Sequence, residues 1–171
     1  MAGKDSKPRK IVELSATART AKVSIDRKQW EKAMEDQERS IAILGPIGLD
    51  ILLAAIIGMS FPQRNEDVQK LMGGINMVQK ARLAYILGLI NKIVLEDLEQ
   101  IHEIRNRFGH SFEASFAFTK VLKFVRKLST AKAHEVTPEN SYKFYHSAGT
   151  KCQNRIIAIL QKQRLQKAQK G

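Results

Sequence analysis

The chain has 171 residues, of which 43% are apolar and 6% aromatic, with a formal net charge of +12. That length and composition fit one domain with a substantial core, and the single cysteine, Cys152, excludes an internal disulfide and fits a reducing compartment. The N-terminus is charged with no apolar stretch behind it, and the longest apolar run, 51–59, is far short of the roughly 20 residues of a membrane span. The expectation is a cytoplasmic protein with no membrane contact.

Residues 1–24 are basic and weakly periodic and read as a mobile arm. The domain is expected over residues 25–171. A helix starts near Asp26, a fair N-cap, and carries the sequence WEKAMEDQERSIAILG. Gly45 and Pro46 predict a kink or break, because proline lacks an amide and clashes with the preceding turn. Residues 47–57 continue as a nearly all-apolar helix, expected at the centre of the domain, with Asp50 as its one charge. A buried carboxylate requires a partner.

Ser60, Phe61 and Pro62 end that element. Asn65 caps a short helix that runs to Met72 and stops at Gly73 and Gly74. The third major helix is predicted from Met77 to Ile93, with too little polar face to lie anywhere but the centre. The fourth begins near Glu96 and Asp97, whose charges suit a positive helix N-terminus, and carries Leu98, Ile101, Ile104 and Phe108 at three- and four-residue steps. Residues 111–118 form a loop pinned to the core by Phe112, Phe116 and Phe118. A helix over 119–128 follows. Thr137 and Pro138 then open a last helix to about residue 169, with Gly149 a weak point. No alternating strand pattern is present. The fold class is all-α, a single-domain helical bundle of about six to seven helices with a mobile N-terminal arm.

The charge is unevenly placed. Residues 120–171 hold twelve Lys or Arg and two acids, so nearly all the excess lies in the C-terminal third. Lys120, Lys123, Arg126, Lys127, Lys151, Arg155, Lys162, Arg164, Lys167 and Lys170 are the candidate polyanion-binding residues. The alternative is a solvated face that only aids solubility.

On the fourth helix His102, Asn106 and His110 stand four residues apart and share a face. Arg105 lies at the margin of the apolar stripe, where a guanidinium needs a carboxylate, and Asp50 is its predicted partner in a structural ion pair. No metal ligand set, phosphate-binding glycine loop or serine-nucleophile motif is present, and no cofactor is expected. The chain also lacks a helix-turn-helix junction, a zinc finger and a basic zipper.

Three blocks resemble the mannitol-operon repressor family: ERSIAIL at 38–44 running on to LDIL at 49–52, ARLAYILGLI at 81–90, and Asp97 and Leu98 through IRNRFGHSF at 104–112, with Ser115 and Phe116 after it. The resemblance covers about residues 36–130. It implies an all-helical regulator of transcription that acts through protein contacts. The expected form is a homodimer whose basic surface meets a regulatory protein partner or makes sequence-tolerant nucleic-acid contacts. Family members continue an unbroken helix where this chain has Gly45 and Pro46.

Arg105, Asn106 and His110 also match the Arg-x4-His pattern of HEPN-type helical domains, some of which are metal-independent ribonucleases that act as dimers. That resemblance implies proton transfer by His110 at the ribose 2′-hydroxyl or leaving oxygen. Arg105 would stabilise charge on the phosphate, and Asn106 would orient the phosphate or the histidine.

Overall fold

The computed structural model describes residues 27–61, 66–111 and 113–169. The expected arm, the caps at Asp26 and Asn65, and Phe112 and Lys170 lie outside the described residues. The chain divides into two compact units, 1–37 and 38–171. Of the first, the described part is the opening of a helix, 27–37.

Six helices are present and no strand among the described residues: α1 Arg27–Ser60, α2 Glu66–Gly74, α3 Met77–Ile86, α4 Lys92–His110, α5 Thr119–Val125 and α6 Pro138–Ala168. The fold is all-α, as its patterning predicts. α4 is the hub and packs on α3, α5 and α6. Its stripe of Leu98, Ile101, Ile104 and Phe108 is fully buried, which follows from the three- and four-residue spacing. α6 answers with Tyr145, Ala148, Cys152, Ile156 and Leu160, where small residues let the helix approach closely. Burial pushes the Cys152 thiol up to about 12, with Asp97 adding to the effect, so it stays a protonated thiol at neutral pH.

Of the kink or break predicted at Gly45 and Pro46, the break does not occur, and α1 runs through both residues. Proline at 46 supplies no amide to the carbonyl of Ala42, four residues earlier. The Tyr145 hydroxyl donates to that carbonyl instead, at 3.3 Å in a buried site. Burial holds the Tyr145 phenol protonated far above the usual range, so the donor is kept.

The third and fourth helices also differ from prediction. α3 stops at Ile86, where Gly88 takes φ +69°. The Gly88 amide donates to Tyr85 and the Leu89 amide to Ala84, a Schellman ending that needs a left-handed residue. α4 begins at Lys92, with the Asn91 side chain accepting from the Val94 amide at 3.0 Å. Asp97 therefore does not serve the helix N-terminus. It is buried and accepts from the Ser129 amide at 2.7 Å and from the Ser129 hydroxyl. Holding Ser129 there draws the chain into the turns that follow Val125, so α5 is shorter than predicted.

Two segments expected at the centre lie partly outside. α1 buries Leu49, Leu53, Ile56 and Ile57 but presents Leu44, Ile47 and Ile51 to the exterior, Ile51 at 64% exposure. α3 exposes Tyr85, Ile86 and Leu87, with Ile86 at 78%. Helices apolar on every side can be covered on one side only in a bundle of this size. Residues Asp36–Ser60 are long and apolar enough to cross a membrane by length and composition, and about a third of an 18-residue apolar part of that stretch is buried.

Candidate nucleic-acid interface

Basic side chains converge where α4 ends and α5 lies across it. On α5 and the turn after it, Lys120, Lys123, Phe124 and Lys127 follow helical spacing and form one ridge. The Phe124 ring is buried at its base against the core, and cations collect around it. Lys123 Nζ lies 4.7 Å from its centroid, the Arg107 guanidinium 5.7 Å and Lys127 Nζ 6.0 Å. A ring face attracts cations electrostatically and holds three like charges close together. Lys120 Nζ lies 5.8 Å from the centroid of Phe118. Lys120, Lys123, Arg126 and Lys127 are exposed, and among the described residues none has an ion-pair partner. Lys132, in the next turn, is paired with Glu96 at 3.5 Å.

The remaining candidates do not extend this ridge as one strip. On α6, Lys151, Arg155 and Lys162 fall on one face at about 100° per residue. Arg164 and Lys167 continue the line of the buried residues past the end of the core, where they are exposed. The last tie of α6 to the bundle before them is Gln163, whose amide donates to the Ile56 carbonyl at 3.2 Å and to Ser60 Oγ at 2.9 Å.

The predicted ion pair of Asp50 with Arg105 is not formed. Both carboxylate oxygens of Asp50 accept from Lys80 Nζ, at 2.8 and 2.7 Å, and Lys80 is 6% exposed. Arg105 is exposed, at the margin of the buried α4 stripe. Asn106 is half-buried, and His110, the last helical residue, is exposed. Five residues of helix separate Arg105 from His110 by about 140°, so one copy of the chain does not aim both at a common point. The end of α4 is fixed by Arg39, which donates to the carbonyls of Phe108 at 2.8 Å and Ser111 at 3.1 Å. A guanidinium on the last carbonyls also suits the negative end of the helix. His102, one turn before Asn106, has its pKa lowered by burial and by Arg105, against the opposing pull of Glu103.

Among the described residues no three His, Cys, Asp or Glu side chains are grouped to hold a metal ion. Arg107, Phe124 and Arg39 were not singled out by sequence. The spacing of 120, 123, 124 and 127 contains the ridge, but the arrival of Arg107 depends on how α4 crosses α5. No family model, curated protein or solved structure matches the chain.

Proposed function

We propose that the domain is a regulatory, sequence-tolerant nucleic-acid-binding module that grips phosphate through Arg107, Lys120, Lys123, Arg126 and Lys127. The observation that carries this reading is the gathering of three cations, from α4, from α5 and from the turn after it, around the Phe124 ring, beside a segment with no carboxylate from residue 119 to 134. Cations without carboxylate partners keep their full charge for a polyanion and release its counterions on binding. The reading agrees with the regulatory role that the resemblance to the mannitol-operon repressor family implies.

The test replaces Arg107, Lys123 and Lys127 together with glutamine and measures oligonucleotide binding by fluorescence anisotropy over a salt series. The expected loss is at least about tenfold at about 0.1 M salt, with the slope of log affinity against log salt reduced by about 2. An unchanged slope would remove these residues from the interface.

A second reading is favoured by one observation, the exposure of both Arg105 and His110. A metal-independent ribonuclease needs both side chains accessible, and the helical geometry requires a dimer to bring Arg105 of one copy to His110 of the other. Incubation of the protein with mixed RNA and no added metal, beside a folded His110→Ala variant, tests it. Cleavage that disappears in the variant establishes this activity. Intact RNA with both proteins eliminates it.

A further inference from the structure

We infer that the interface takes single-stranded nucleic acid in preference to duplex, and that the Phe118 ring is the platform on which an unpaired base stacks. The inference rests on the phosphate-binding reading above and adds the substrate class to it.

The phenylalanines of this region have unlike surroundings. Phe108 and Phe116 are each 1% exposed, and Phe124 is covered by the core below and cations around it. Phe118 alone among these four is exposed, at 36%. It occupies the N-cap of α5, a position served by side-chain acceptors such as Ser, Thr, Asp or Asn, and makes no side-chain cap bond there. Capping does not account for the ring, and over a third of the residue stays open to solvent.

Its neighbours give it a role. Lys120 Nζ lies near the ring, and the ridge then continues through Lys123 to Lys127 in steps of three and four residues. Lys120, Lys123 and Lys127 thus stand in one exposed row that starts beside the ring. A strand drawn out along the ridge can meet successive cations with its phosphates while one base lies on Phe118. Base–aromatic stacking beside a cationic track is the general physics of single-strand recognition, and it tolerates sequence because every base has a π face. In a duplex the base faces are already stacked on one another, so the ring has nothing to receive.

The experiment uses the full chain and two fluorescent probes, a 20-nucleotide single strand of mixed sequence and the duplex of the same sequence, with Phe118→Ala and the milder Phe118→Leu. Circular dichroism checks that both variants fold. The expected result is tighter binding of the single strand by the unaltered protein. Phe118→Ala should weaken single-strand binding about tenfold, with Phe118→Leu between, an unchanged salt slope and duplex affinity within about twofold. Single-strand affinity that does not change in Phe118→Ala overturns the inference and leaves the phosphate-binding reading intact, as does an equal loss for both probes. No binding of either probe by the unaltered protein overturns both. Tighter binding of poly-glutamate than of the oligonucleotide assigns the surface to an acidic protein and also overturns both.

Discussion

Phe116→Ala lowers the unfolding free energy by about 4 kcal/mol, the range found when a fully buried phenylalanine leaves a cavity. Phe116 is 1% exposed and stands at the meeting point of three other rings. Its centroid lies 5.0 Å from Phe108, 5.4 Å from Tyr142 and 5.0 Å from Tyr145. These tilted and edge-on contacts add to the area it removes from water. Its carbonyl also accepts from the buried Ser141 hydroxyl at 3.0 Å, so the residue joins the 113–118 segment to α4 and α6 at once. Urea unfolding followed by circular dichroism measures the effect. A loss under 1 kcal/mol would mean that neighbouring rings collapse into the space. Because Phe118 sits two residues further on, the same variant should loosen single-strand binding before the whole domain unfolds.

Asp50→Ala costs about 3 kcal/mol, although Asp50 itself is only half-buried. The reason lies with its partner. Lys80 is almost wholly buried, and its ammonium donates to both Asp50 carboxylate oxygens. Removing the carboxylate leaves an ammonium in the interior without compensation, which is far worse than losing an exposed pair. Replacing both residues, Asp50→Leu with Lys80→Met, should recover most of the loss, since two apolar side chains of similar volume need no partner. Thermal unfolding of the two single variants and the double variant forms the test. A double variant as unstable as Asp50→Ala would show that shape, not charge, governs the site.

The all-helical fold was legible because apolar spacing is a local property. The α4 stripe at 98, 101, 104 and 108 and the Thr137–Pro138 start of α6 needed no information from elsewhere in the chain. The division between α3 and α4 was expected several residues too late because residues 83–90 are apolar almost throughout. That composition outweighed Gly88 and Asn91, the two residues that end one helix and cap the next. Asp97 was assigned to a helix terminus by its neighbourhood in sequence, whereas its partner Ser129 is thirty-two residues away. The same distance problem hid Lys80 from Asp50. At the interface, the basic segment and its exposed lysines could be read in order. Which phenylalanine is buried and which is open could not, because Phe116 and Phe118 share one short loop and differ only in what α6 covers.

Pro46 and Tyr145 form a lock of two parts made ninety-nine residues apart. The carbonyl of Ala42 receives no amide from residue 46, and the Tyr145 phenol donates to it in a buried site. With proline at 46, phenylalanine at 145 would leave the buried carbonyl without this donor, at a cost of about 1–3 kcal/mol. Tyr145 is therefore not free to drift while proline stands at 46. The two should be exchanged together in lineages that carry this helix, so that an apparent helix breaker becomes a marker of ancestry shared with a distant tyrosine.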